Sequence, residues 1–175
     1  MAIFNNEAID ITGLPRAEDV SLLPIEPGYW KVLKWSWMIV SFILLGVLSL
    51  ILLLGFPGDT LILLLIPALA MLLLLIFWLM RKSFLWKAYA LREKDIIYRT
   101  GWLIRRMSIC PFNRIQHCSI NAGPFERKLG LSSLSIYTAG TQGADFKIPG
   151  LKEDVALSLR DFILAKTTAD ETTSD

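Results

Sequence analysis

Residues 35–80 read WSWMIVSFILLGVLSLILLLGFPGDTLILLLIPALAMLLLLIFWLM, with Asp59 as the only charged side chain. Trp35 to Gly58 is 24 residues without a charge, and Thr60 to Met80 is 21 more. A bilayer core of about 30 Å takes roughly 20 helical residues, so each stretch is long enough to cross once. Pro57-Gly58 is a turn signal at the centre of the block. The reading is a hairpin: a transmembrane helix over 35–56, an external turn over 57–60 and a second transmembrane helix over 61–80. One unbroken helix would be about twice the needed length.

The flanks give an orientation. Lys31 and Lys34 precede the first span, Arg81, Lys82 and Lys87 follow the second, and the turn between them holds no cation. By the positive-inside rule both termini are cytoplasmic, which makes residues 1–34 a cytoplasmic lead. That lead has no basic-then-apolar start, so the first span is read as an uncleaved insertion signal. Trp30, Trp35 and Trp37 at one flank, with Trp78 and Trp86 at the other, suit either an interfacial belt or simple packing. No ionisable side chain lies within either span, which favours an anchor over an ion path.

Composition agrees. Of 175 residues 54% are hydrophobic and 19% charged, and the mean hydropathy is +0.50. Soluble domains carry about 25% charge, and disordered chains are far less apolar. An ordinary soluble enzyme and a disordered chain are both excluded. The charge is uneven: residues 1–80 sum to −3, residues 81–128 to +8 and residues 129–175 to −3. Two cysteines, Cys110 and Cys118, cannot build a disulfide-rich scaffold or a four-cysteine metal site. Both are expected to be reduced.

From Ser83 the pattern changes to short alternating runs. Strands are predicted over 86–91, 95–99, 102–109, 114–121, 134–139 and 146–148, with a tight hairpin turn at Thr100-Gly101. Pro124 and Gly130 bracket a short helix, with Phe125 and Leu129 facing the core together. A second helix over 152–165 carries the apolar stripe Val155, Leu159, Phe162 and Ile163. The resulting cytoplasmic domain spans 81–166, and the tail over 167–175 is expected to be disordered. Such a series fits a small antiparallel sandwich or open barrel closed by a C-terminal helix, or a single sheet with the helix across one face.

Four pieces in fixed order carry a family resemblance: Tyr98-Arg99-Thr100-Gly101-Trp102, Ile109-Cys110-Pro111-Phe112-Asn113-Arg114-Ile115-Gln116, the stretch from Gly123 to Leu131, and Leu134-Ser135-Ile136-Tyr137-Thr138-Ala139-Gly140. Over about residues 28–165 the chain resembles the bacterial pleckstrin-homology family of YdbS-like membrane proteins. The resemblance implies a pleckstrin-homology-like bent antiparallel sandwich closed by a C-terminal helix. It implies no phosphoinositide ligand and no catalytic residue. It also favours a structural role for Arg127, holding the short helix on the sheet through strand-end carbonyls.

No catalytic, cofactor-binding or metal-binding residues are expected. His117 and Cys118 are neighbours, and neighbours on a strand point to opposite faces, so they cannot form a thiol–imidazole pair. A zinc site would need a further good ligand nearby. Gly140-Thr141-Gln142-Gly143 opens no helix and is no phosphate loop. Cations beside an anionic leaflet attract it, which makes Arg81, Lys82, Lys87, Arg105 and Arg106 candidate lipid contacts. Nucleic-acid binding is the poorer reading, since the cluster lacks an interleaved aromatic platform. The expected function is a non-enzymatic interaction or assembly module in a bacterial inner membrane. Its partners would be lipids and a protein partner or a second copy. The alternative is a regulatory subunit of a transporter or channel.

Overall fold

The computed structural model describes residues 20–54, 59–138 and 146–172. Two long helices come first in the apolar block: α1 (Tyr29–Leu53) and α2 (Asp59–Trp86). At 1.5 Å per residue they measure about 37 and 42 Å, longer than the ~30 Å hydrocarbon core. The surplus lies at the end where the chain enters and leaves the hairpin. There α1 starts six residues before the predicted span and α2 ends six residues after it. Aromatic packing accounts for both extensions. Trp30 sits between Phe77 and Phe84 of α2, with ring centroids 5.4 and 5.6 Å away. Half of the predicted turn, residues 57–58, lies outside the described residues, while Asp59 and Thr60 already belong to α2.

In the helices' most apolar windows only 0% and 6% of residues are buried. The core helices of a soluble protein would be mostly covered. Here Phe42 and Leu74 are 81% and 70% exposed, an outward apolar surface that only hydrocarbon can solvate without cost.

The rest of the chain is an antiparallel β-sandwich. One sheet has the order β1-β2-β3-β4, formed by Leu23–Pro24, Ala88–Leu91, Asp95–Thr100 and Arg106–Pro111. The other has the order β5-β6-β7, formed by Ile115–Asn121, Leu131–Thr138 and Phe146–Lys152. A 3-10 turn at Phe112–Arg114 joins the two sheets. A short helix α3 (Pro124–Lys128) separates β5 from β6, and α4 (Glu153–Thr172) follows β7. Two sheets therefore form, not one sheet with a helix across it. Ile96 and Tyr98 of the first face Leu134, Ile136 and Ile148 of the second in one core cluster. From α4, Ala156, Leu159 and Ile163 join that core. Phe162, predicted on the same stripe, is 38% exposed and meets Phe112 edge-on at 6.0 Å.

Several boundaries differ from the sequence reading for identifiable reasons. Gly101 takes φ +81°, and the last β3–β4 pair is Thr100↔Arg106. The predicted tight turn is thus a five-residue loop, and Trp102, Leu103 and Ile104 lie on it and not on a strand. Residues 167–172, expected to be disordered, continue α4; the Thr167 hydroxyl donates to the Ile163 carbonyl at 2.9 Å. Residues 173–175, like 1–19 and the Gly140–Gly143 segment, lie outside the described residues.

Strand β1 has no counterpart in the sequence reading. It precedes α1 yet pairs with β2, which follows α2, in the register Leu23↔Tyr89 and Pro24↔Ala88. Next to it Ile25 is buried in the core, and the Glu26 amide donates to the Gly150 carbonyl of β7 at 3.0 Å. Lys152 on β7 adds an ion pair to Glu26 at 3.6 Å. This short strand ties the free edges of both sheets together. It also fixes both ends of the hairpin to one module, hence to one side of the hairpin.

Candidate functional site

The base of the hairpin gathers the basic residues and pairs them with aromatic rings. The Arg81 guanidinium lies 5.1 Å from the Trp30 ring, and Lys82 Nζ lies 5.6 Å from Trp78. Lys87 Nζ stands 5.5 Å from Tyr29. Trp86 is met by two cations, Arg105 at 4.5 Å and Arg99 at 5.2 Å. Arg99 also donates from Nε to the Trp86 carbonyl at 3.3 Å. Rings at this level offer their negative faces to the cations. The aromatic side chains therefore orient the charges at the base of the hairpin.

None of these five cations makes an ion pair among the described residues; the ion pairs there are Arg92–Asp95, Lys152–Glu26 and Arg160–Asp161. The belt's charge is left uncompensated by protein carboxylates. Burial holds the Lys87 ammonium below the usual lysine range. A groove of about 340 Å³ runs beside it, lined by Arg81, Lys87, Trp30, Phe84, Ile25 and neighbours, with no acidic side chain among them. Two cations above an apolar wall suit an anionic group carried on an apolar body.

Of the residues singled out from sequence, the structure brings Arg81, Lys82, Lys87 and Arg105 into this belt. Arg106 is exposed at the start of β4, beside α2. Sequence reasoning missed Arg99, whose partner Trp86 is thirteen residues away. Its signal was only a cation on a strand leading back toward the hairpin.

Arg127 is exposed and has no side-chain hydrogen bond or ion pair among the described residues. The attachment expected of it belongs to its neighbour Glu126, which is only 8% exposed. One carboxylate oxygen accepts the Ser133 hydroxyl of β6 and the other the Gly123 amide, each at 2.8 Å. Glu126 thus caps α3 and binds it to the sheet. Phe125, expected in the core, instead meets Trp35 of α1 edge-on at 5.8 Å. In this way α3 bridges module and hairpin.

His117 is exposed and stacks on Tyr137 across the strand pair, with centroids 4.2 Å apart and planes 14° from parallel. Cys118 packs against the core instead. Burial, with Cys110 a smaller cause, pushes its thiol up to about 11. At neutral pH it is almost wholly protonated and a poor nucleophile. Neither cysteine is in a disulfide. Among the described residues no three His, Cys, Asp or Glu side chains gather as a metal ion would require.

Comparison with known proteins adds the family. A family model described as "Bacterial PH domain" matches residues 32–167, which is most of the chain and includes α2 and α1 from Val32 onward. In Bacillus subtilis (strain 168) the UPF0699 transmembrane protein YdbS is 34% identical over 85 residues, 47% of this chain and 52% of that protein. The chain spans about half the length of that relative. No solved structure matches. With a hairpin too exposed to be a soluble core, and a sandwich closed by a C-terminal helix, the chain belongs to the bacterial PH domain family and is a YdbS-like transmembrane protein.

Proposed function

We propose that this protein holds a PH-like interaction and assembly module against the cytoplasmic leaflet of a bacterial inner membrane. It has no enzymatic activity of its own and serves as a subunit or scaffold of an envelope-associated complex. The observation that carries this reading is the β1–β2 pairing across the hairpin, which leaves the module no tether on which to swing away. The cationic flanks support the cytoplasmic orientation. The test is purification of tagged full-length protein in several mild detergents, with the mass of the particle and the ratio of co-purifying chains determined. A partner at constant ratio, or a defined oligomer, is the expected result. A lone monomer in every detergent would count against an assembly role.

In the same reading, Arg81, Lys82 and Lys87, with Arg105 and Arg106, contact anionic headgroups. Each cation near such a surface contributes about 1 kcal/mol. The double variant Arg81→Gln, Lys87→Gln is therefore expected to bind phosphatidylglycerol in mixed micelles roughly thirtyfold more weakly. Unchanged affinity would remove these two residues from the lipid contact.

A further inference from the structure

The loop between β3 and β4 is the most apolar exposed feature outside the spanning helices. Leu103 and Ile104 at its tip are 78% and 67% exposed. Two adjacent large aliphatic side chains left this open on a water-facing loop would be an aggregation hazard, and such patches mark contact surfaces. The position of the loop says which contact. Trp102 meets Trp78 of α2 edge-on at 5.6 Å. A groove of about 490 Å³ separates loop and helix, lined by Ile76, Leu79, Met80, Leu103, Ile104 and neighbours. Ile76, Leu79 and Met80 belong to the charge-free stretch that spans the membrane. Trp78 is eight residues before the end of α2, so the loop reaches back about 12 Å along that helix.

The charges around the loop follow the same geometry. Arg105 and Arg106 come directly after the two aliphatic residues, and Arg105 is held over Trp86, nearer the module. Lys82 lies over Trp78 on the helix face. Leu103 and Ile104 share the groove with Ile76, Leu79 and Met80, which Arg106 also lines, and Arg105 stands nearer the module, an amphipathic edge of the kind a leaflet meets with acyl chains and headgroups. The fold also holds the tip in place. At Gly101 a β-carbon would overlap the Ile104 carbonyl, and its positive φ is one that other residues rarely adopt.

We infer that the β3–β4 loop inserts Leu103 and Ile104 into the leaflet beside α2, with Arg105 and Arg106 at the headgroups, as a third membrane contact of the module. This rests on the reading of α1 and α2 as membrane-spanning. It adds that the domain itself enters the lipid. The occupant of the groove between loop and helix is then lipid, not a second protein.

The test uses the full chain in nanodiscs of phosphatidylcholine and phosphatidylglycerol. An environment-sensitive dye is attached to Leu103→Cys, to Leu74→Cys on the exposed face of α2, or to Glu93→Cys in the turn at the opposite end of β3. All three positions are exposed, so folding is little disturbed. The unsubstituted chain, whose cysteines are buried or partly buried, serves as the labelling blank. The expected result is blue-shifted emission at position 103, strong quenching by spin-labelled lipid, and aqueous iodide quenching several-fold weaker than at position 93. If position 74 is quenched by lipid but position 103 behaves like position 93, the inserted loop is wrong and the anchor stands. A dye at 103 shielded from both quenchers would place the loop against protein and also overturn the inference. If position 74 itself is open to iodide, the hairpin reading fails, and the loop's insertion with it.

Discussion

Replacing Gly150 with alanine is expected to destabilise the module by about 2–5 kcal/mol and to loosen it from the hairpin. Gly150 sits at φ +65°, where a side chain costs about 1–2 kcal/mol by itself. A β-carbon there would also lie 2.5 Å from Tyr29 Cβ and 2.6 Å from Tyr29 Cγ. These atoms stand at the root of the tyrosine on the first turn of α1, so no rotamer change relieves the overlap. The backbones must part, and parting them also breaks the Glu26–Gly150 hydrogen bond. A fall in melting temperature of roughly 10 °C or more follows for a domain of this size. Gly130 is the internal control. It has φ +63° but open space around its missing side chain, so Gly130→Ala should cost only the conformational part, about 1–2 kcal/mol. Equal melting temperatures for the two variants would show that α1 and β7 do not press together there.

The second large effect is expected at Glu126. Ser133 is 0% exposed and its hydroxyl donates to Glu126. Glu126→Ala strands that hydroxyl and the Gly123 amide together, a loss of about 3 kcal/mol. It should also release α3, and with it the Phe125–Trp35 contact that holds the sandwich to α1. Hydrogen exchange at the amides of 123–129 would rise far more than exchange in β3. The double variant Glu126→Ala, Ser133→Ala should be less destabilised than the two single losses added, because no unpaired hydroxyl then remains. Strict additivity would mean that the carboxylate and the hydroxyl are not coupled.

The hairpin was legible because 46 residues with one charge admit few other structures. Its true ends were not, because a count of apolar residues stops at Lys34 and Arg81, whereas helix continues wherever Trp30 can pack on Phe77 and Phe84. Strands β3, β5 and β6 were readable as short apolar-polar runs, although their burial does not alternate: Leu131 to Ile136 of β6 and Ile96 to Tyr98 of β3 are buried without a break. The β3–β4 loop was misread because Trp102-Leu103-Ile104 has the composition of a strand, and only its place beside α2 shows why it leaves the ladder. The cationic belt was visible as a charge cluster, but its pairing with particular rings depends on contacts between distant residues. At α3 the chemistry was assigned one residue too late: an exposed arginine looked like the anchor, while a buried carboxylate holds the helix. Strand β1 gave no local signal at all. Two residues in a polar lead become a strand only because Tyr89 and Ala88 come back to meet them.

That last pairing sets an order of assembly. The residues made first in the described chain, Leu23 to Ile25, are among the last that can take their places. Their partners emerge only after both helices have been synthesised. A chain whose second helix failed to return would carry β2 on the far side of the bilayer from β1. Its core would lack Ile25, and the Ala88–Leu91 strand would offer an open edge. Closing the clasp therefore requires that the second helix return the chain to the end of the hairpin where the first began.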